Sequence, residues 1–235
     1  MSLVSVIIPI YNTPAEWLNT AVESIKGQTY KDLQILLIDD CSPSEETQAA
    51  CQSLEDSDPR IEYLRLEENR GISGALNVGL HYAKGEWVFR MDSDDISLPE
   101  RIEVQMNYLK ENPHIDILGG GLFYLLMNEG QWSYDTHPII HPQKITKEIA
   151  KSSHWFLNHP TIAYKKSKIV DIGGYDESLR GLPEDYELWI RCLKNDLIIE
   201  NLQVPLILLR LTGTSLSKKF NSNVIEFLNK VQKSL

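Results

Sequence analysis

The first hundred residues alternate strand-length apolar runs with helix-length amphipathic ones, and this rhythm constrains the fold more than any other feature of the chain. Residues 3–10, 33–38, 61–66 and 87–91 read as strands. The first is almost unbroken in its apolarity, as a strand is when both faces of a parallel sheet are covered. Between them, helices are expected over about 13–27, 44–56 and 73–84. Thr13-Pro14-Ala15-Glu16 has the spacing of a capping box with proline at the first helical position. Trp17, Leu18, Ala21, Val22 and Ile25 then share one face, and Gly27 and Gly85 are natural stops. The pattern is βαβα, and it predicts an α/β fold with a mostly parallel central sheet flanked by helices.

The second half is less regular. Ser97-Leu98-Pro99-Glu100 repeats the capping-box start of a helix that runs to Pro113. Residues 115–127 read as a strand and 128–143 as a polar loop carrying two His-Pro pairs. A short strand is expected at 161–164, a helix at 183–195, a strand at 197–204 and a terminal helix at 221–235. No repeat, low-complexity segment or Pro/Gly/Ser-rich linker divides the chain. A single domain over 1–235 is therefore expected, with a nucleotide-type half (1–100) and a second, acceptor-side half (101–235) sharing one sheet.

Charge narrows the function classes. The 23 Lys and Arg against 33 Asp and Glu leave a net charge of −10. Residues 1–100 hold 7 basic and 18 acidic side chains, so the surplus lies wholly there. Nucleic acid, which is bound by neutralising phosphates with Lys and Arg, is excluded as the main ligand. The lysines of 144–168 are six against one acid, Glu148. Such runs are usually solvated surface; the alternative is a peripheral membrane contact, or a face toward an anionic acceptor. Cys41, Cys51 and Cys192 have neither disulfide-framework nor zinc spacing, which fits a cytoplasmic setting. The longest apolar stretch, 117–127, is too short to span a bilayer, and the N-terminus has no signal-peptide pattern. The oligomeric state is left open.

Open parallel sheets bind ligands outside the carboxyl ends of their strands, and three such ends here are polar. They read Pro9-Ile10-Tyr11-Asn12, Asp39-Asp40 and Asp92-Ser93-Asp94-Asp95. Acidic helix capping accounts for Asp39-Asp40 as well as ligand binding does. Three carboxylates in four residues repel one another and call for a cation, and hard oxygen ligands select Mg²⁺ or Mn²⁺. An EF-hand would put Ile96 and Ser97 at its fifth and sixth loop positions, and the sixth needs glycine. That reading fails.

These ends, taken with Asn69-Arg70-Gly71-Ile72-Ser73-Gly74-Ala75-Leu76-Asn77 and Glu184-Asp185-Tyr186-Glu187-Leu188-Trp189, follow the order of motifs in family 2 glycosyltransferases. The chain resembles that family over roughly residues 3–210. The resemblance implies the GT-A fold of nucleotide-diphospho-sugar transferases. It also implies inverting transfer from a nucleotide-sugar donor, a UDP-sugar being the expected one, to a hydroxyl of a saccharide or lipid-linked acceptor. Bacterial surface polysaccharide synthesis is the expected setting. Carried over by residue, Tyr11 and Asp40 would contact the base with Arg70 nearby, and Asp92 would hold the ribose. Pro9, Asn12, Asn69, Gly71 and Ser93 belong to the same nucleotide-binding set. Asp94 would ligate Mn²⁺ or Mg²⁺ in a DXD motif. Asp185 would be the catalytic base, with Glu184 beside it. Both acids also suit the start of a helix after Pro183.

His159, in Asn158-His159-Pro160-Thr161, ranks second as a contact to phosphate or acceptor, level with a buried structural role. Gly173-Gly174-Tyr175 suggests an acceptor-facing aromatic, and Trp189 a core position. Segments 123–141 and 210–215 are expected to border the acceptor. A nucleotidyltransferase would need a glycine- and base-rich loop after the first strand, and a dehydrogenase would need G-x-G-x-x-G there. Tyr11-Asn12-Thr13-Pro14 is neither. The remaining alternative is a non-catalytic or partner-dependent sugar-nucleotide or carbohydrate-binding module.

Overall fold

A computed structural model describes residues 2–128, 131–211 and 221–235. The first half follows the predicted rhythm: β1 (Val4–Ile10), α1 (Ala15–Lys26), β2 (Leu33–Asp39), α2 (Glu45–Ser57), β3 (Ile61–Arg65), α3 (Gly71–Tyr82) and β4 (Trp87–Arg90). Then come β5 (Ile96–Ser97), α4 (Arg101–Glu111), β6 (Ile117–Asn128), β7 (Gln131–Tyr134), β8 (Lys144–Ile145) and α5 (Lys147–Ser152). A 3₁₀ turn (His159–Thr161), β9 (Ala163–Lys165), α6 (Lys166–Asp171), α7 (Glu184–Lys194), β10 (Ile199–Leu211) and α8 (Ser222–Lys233) complete the order.

The strands join one sheet in the order β3-β2-β1-β4-β9-β6-β10-β5, with β7 on β6 and β8 on β10. β1 to β4 are parallel, as predicted. β9 enters antiparallel to both β4 and β6, which makes the sheet mixed. Alternation along each strand divides the core. Val4, Val6, Ile8 and Ile10 pack with Leu18, Val22 and Ile25 of α1 on one face, while Ile7 faces Leu76 and Leu80 of α3 on the other. Both faces are covered, which is why β1 is apolar at nearly every position. Helix α3 lies so close to the sheet that a Cβ on Gly79 would stand 2.5 Å from Ile7 Cγ2.

Several boundaries differ from expectation. Thr13 does not cap α1: the residue before the helix is Pro14, with no side-chain cap. Thr13 Oγ1 instead lies 2.6 Å from Ser93 Oγ, so a tertiary partner has taken the capping hydroxyl. Ser97 likewise sits in β5, and its Oγ accepts from Gln28 Nε2 at 3.1 Å, while α4 starts at Arg101. The expected loop 128–143 contains β7, which closes an antiparallel hairpin on β6; Glu129 and Gly130 lie outside the described residues. The strand expected at 161–164 is a 3₁₀ turn leading into β9. β10 runs to Leu211 through a register shift at Pro205.

In the lysine-rich stretch, Lys165 donates to Asp116 Oδ1 at 3.2 Å, Lys166 to the Ala83 carbonyl at 2.6 Å and Lys147 to Asp196 Oδ1 at 2.8 Å. Half of its six lysines therefore tie elements together. No helix among the described residues is long and apolar enough to cross a membrane.

Candidate active site

The carboxyl ends of β1 and β2 are stitched to each other and to α3. Asn12, at φ +53°, donates its backbone N–H to Ser42 Oγ at 2.9 Å and accepts from the Ser44 N–H on Oδ1 at 3.3 Å. Pro9 is buried in β1 in register with Ile38, whereas Tyr11 is 54% exposed at the open end. Asp39 is fully buried; its Oδ1 accepts the Ser42 N–H and its Oδ2 the Tyr63 hydroxyl.

Asp40 accepts the backbone N–H groups of Arg70 at 2.7 Å and Gly71 at 2.8 Å, one on each oxygen. Burial raises its carboxyl above the ordinary range, and those two N–H groups work against the rise. It thus sits at the N-terminus of α3, where Asn69 Nδ2 also donates to its carbonyl. The capping reading of Asp40 is realised, and the same placement keeps it at the strand ends. The Arg70 guanidinium is turned to Glu177, with Nη2 at 2.8 Å from each carboxylate oxygen. A cavity of about 220 Å³ lies between the start of α3 and the segment carrying Glu177, Leu179 and Arg180.

The second group of acids gathers around Arg90. In β4, Trp87, Phe89 and Met91 join one core layer and Val88 the other, so the alternation puts Arg90 on the α3/α7 side of the sheet. It is 2% exposed and grips both oxygens of Asp92, Nη1 to Oδ2 at 2.6 Å. Its positive charge also acts on Asp94, Asp95, Glu184 and Asp185. Acids from the end of β4 and from the start of α7, some ninety residues apart in sequence, therefore share one cation.

Asp94 is pushed up to about 6 by burial and by the charge of Asp92. Asp95 is buried; its Oδ1 accepts the Arg210 N–H at 2.9 Å and its Oδ2 has no hydrogen-bond partner. Arg210 in turn donates from Nε to the Asp94 carbonyl at 2.8 Å and lies over the rings of Trp17 and Trp132, 4.9 and 4.4 Å from their centres. This pins the 92–95 turn to the end of β10. Thr212 to Ser215, expected on the acceptor border, lie outside the described residues.

Among the described residues no three His, Cys, Asp or Glu side chains converge into a metal cage. A cage is not what the donor chemistry requires, since Mg²⁺ commonly takes one or two carboxylates and completes its shell with water and substrate phosphate. A crowded carboxylate with a raised pKa and an orphaned buried oxygen one residue away fit a missing positive charge at Asp94.

Glu184 and Asp185 open α7 after Pro183. Asp185 Oδ1 accepts the Tyr186 N–H at 2.8 Å. Burial raises both carboxyls, and Glu184 is raised further by the charge of Asp185. His159 Nδ1 stands 3.8 Å from Glu184 Oε1 and 4.0 Å from Asp185 Oδ2. Tyr175 is buried with its hydroxyl 3.0 Å from His159 Nε2, so it does not face an acceptor. Trp189 is core, as expected.

Of the predicted residues, the structure joins Asn12, Asp40, Asn69, Arg70 and Gly71 in one network. Arg90 pairs with Asp92 and acts through its charge on Asp94, Glu184, Asp185 and His159, and His159 stands beside the two acids of α7. Reasoning from sequence passed over Arg90, although a charged residue inside the apolar run Trp87-Val88-Phe89-Arg90-Met91 was a visible signal.

The profile described as glycosyl transferase family 2 matches residues 5–173. The amylovoran biosynthesis glycosyltransferase AmsE of Erwinia amylovora is 30% identical over 94% of this chain and 81% of its own length. A UDP-Gal:alpha-D-GlcNAc-diphosphoundecaprenol beta-1,3-galactosyltransferase of Escherichia coli is 30% identical over 92% and 76%. An uncharacterized glycosyltransferase of Methanocaldococcus jannaschii is 32% identical over 83% of this chain, which spans 66% of that relative. Among solved structures, S. aureus TarS 1-349 in complex with UDP-GlcNAc superposes with a TM-score of 0.75 at 20% identity, covering 97% of this chain and 66% of that one. The GT-A architecture expected from the motifs is thus the one observed. With most of its length matched by the profile and relatives at 30% identity or above across most of the sequence, the chain belongs to glycosyl transferase family 2.

Proposed function

We propose that the protein is an inverting, metal-assisted glycosyltransferase that moves a sugar from a UDP-sugar to a hydroxyl of a saccharide or lipid-linked acceptor in surface polysaccharide assembly. The observation that carries this reading is Arg90 at the open edge of the sheet, paired with Asp92 and acting through its charge on Asp94 and Asp185. The Escherichia relative, a galactosyltransferase from UDP-Gal to a GlcNAc-diphosphoundecaprenol, supports the donor and the acceptor class, and the Erwinia relative, of amylovoran biosynthesis, supports the setting.

In this reading Asp185 accepts the proton of the acceptor hydroxyl as its oxygen forms a bond to the anomeric carbon. The bond from that carbon to the diphosphate oxygen breaks, and the electron pair leaves with the nucleoside diphosphate. Attack from the face opposite the leaving group inverts the configuration. A diphosphate leaves as an anion and needs no protonating acid, so one ionised carboxylate suffices, unlike the acid–base pair of an inverting glycosidase. Asp94 would hold the divalent cation, Mn²⁺ or Mg²⁺, which when bound stabilises charge on the departing diphosphate. Asp40, Asn12 and the start of α3 form the base end of the donor site, with Tyr11 exposed for stacking. Glu184, raised by burial and by Asp185, holds its proton longer than a free glutamate and leaves Asp185 as the base.

The test is UDP release from UDP-galactose, UDP-glucose and UDP-GlcNAc with Mn²⁺, in water alone and with a GlcNAc-diphospho-lipid. Release from at least one donor, faster with acceptor and abolished by EDTA, is expected. A protein inert toward all three would contradict the reading.

A further inference from the structure

His159 is 7% exposed and both of its ring nitrogens face polar partners from other elements. Its ring packs edge-on to Trp189, with centroids 5.7 Å apart, and Nε2 lies 3.0 Å from the Tyr175 hydroxyl. Nδ1 faces the carboxyl of Glu184 at 3.8 Å and that of Asp185 at 4.0 Å, each just beyond hydrogen-bond reach. Asp185, ionised as the base, only accepts, so a ring that orients it carries its proton on Nδ1; Nε2 then has the lone pair that accepts the Tyr175 O–H. Burial and the positive charge of Arg90 hold the imidazole uncharged well below the usual histidine range.

The Tyr175 backbone is itself fixed from α3. Asn77 Oδ1 accepts the Tyr175 N–H at 2.8 Å, and Asn77 Nδ2 donates to the Tyr175 carbonyl at 2.9 Å. Gly174, at φ +69°, permits this approach, because a Cβ there would stand 2.6 Å from Asn77 Oδ1. Asn77, Tyr175, His159 and Asp185 thus form a continuous series from the donor-side helix to the carboxylate.

We propose that His159 is a positioning residue for Asp185: its Nδ1–H, held in that tautomer by the Tyr175 hydroxyl, orients Oδ2 while the Tyr186 N–H holds Oδ1. The inference rests on the reading of Asp185 as the base. A carboxylate fixed at both oxygens keeps one lone pair aimed at the acceptor proton. Hydrogen bonds of this kind are often long before substrate arrives and tighten in the Michaelis complex. Both nitrogens turn inward, in keeping with the buried role that stood level with a phosphate or acceptor contact in the sequence.

Nitrogen-15 NMR of the imidazoles reads the tautomer without any substrate, the His159 signals being those lost in His159→Gln. The proposal requires a neutral ring with the proton on Nδ1, and a shift of population toward Nε2–H in Tyr175→Phe, which removes only the hydroxyl. A wild-type ring protonated on Nε2, or an imidazolium at pH 7, would overturn it.

Catalysis gives a second readout through UDP release from the three UDP-sugars. The side-chain amide of His159→Asn carries an N–H near the Nδ1 position, whereas that of His159→Gln reaches toward Tyr175 instead. UDP affinity should stay within about twofold of wild type in both, while kcat falls on the order of 10- to 100-fold in the glutamine variant and is largely restored in the asparagine variant. Equal kcat in the two variants, or lost UDP binding in step with kcat, would show that the histidine only packs. Asp185→Asn is measured alongside. Normal release by that protein removes the base assignment and this inference with it; an inert Asp185→Asn beside a fully active His159→Gln removes this inference alone.

Discussion

An Asp185→Asn protein is expected to bind UDP as tightly as wild type and to release UDP from a UDP-sugar at least about a hundredfold more slowly, the range typical of a lost general base. Asparagine preserves the shape of the side chain, and its carbonyl oxygen can still take the Tyr186 N–H that Asp185 Oδ1 accepts at 2.8 Å. What disappears is the group that takes the acceptor proton. A loss confined to kcat marks an interaction made in the transition state rather than in donor binding. Glu184 stays buried in the variant, and burial is the first cause of its raised pKa, so it remains the less ionised acid when the neighbouring charge is removed. The pH profile of the wild type follows from the same geometry. The base must be ionised, and burial raises Asp185 above an ordinary aspartate, so kcat should fall on the acid side at a higher pH than an exposed aspartate would give. Undiminished release by Asp185→Asn would place the base elsewhere.

The second large effect concerns stability. Asp94→Asn should melt higher than wild type at pH 7.5 in EDTA, by a few degrees, since about 1 kcal/mol corresponds to roughly 2–4 °C for a chain of this size. Asp94 titrates near 6 in the folded protein against 3.8 for an unperturbed aspartate. A carboxyl raised on folding favours the folded state below its unfolded pKa, and that contribution is lost as pH rises through the folded value. At pH 7.5 the metal-free protein therefore carries the cost of three crowded acids, and the amide relieves part of it. Asp95, Glu184 and Asp185 are raised too, so the melting temperature of the wild type should climb as pH is lowered from 8 toward 5. His159, held neutral, acts in the opposite sense below its unfolded pKa near 6.5. The difference between wild type and variant isolates the Asp94 charge and its effect on Asp95. A lower melting temperature for Asp94→Asn, with an unchanged pH slope, would mean that Asp94 is not under electrostatic strain.

What could be read from the sequence was whatever depends on local pattern. β1 to β4 and α1 to α3 were legible because a strand covered on both faces and a helix covered on one leave different periods in the chain. Asp92-Ser93-Asp94-Asp95 and Glu184-Asp185 were legible because clustered acids are costly without a reason. The insertion of β9 antiparallel between β4 and β6 was not, since strand order depends on contacts between distant segments. Thr13 misled for a related reason: its hydroxyl has the right spacing for a cap, but Ser93, eighty residues away, competes for it. Tyr175 looked like an exposed aromatic until α3, through Asn77, drew its backbone inward. Arg90 is the clearest omission, because its importance lies wholly in which acids the fold brings to it.

The central claim is that the open edge of this sheet holds a nucleoside diphosphate and a divalent cation, with Asp94 as the protein's ligand to the metal. Calorimetric titration of wild type and Asp94→Ala with UDP, GDP, CDP and dTDP, each with Mn²⁺ and then with EDTA, tests it without an acceptor. The prediction is saturable binding of UDP in Mn²⁺, lost in EDTA and lost in Asp94→Ala, with the other nucleotides bound more weakly. Binding of no nucleotide, or UDP binding that is equal in EDTA and in the variant, would contradict it.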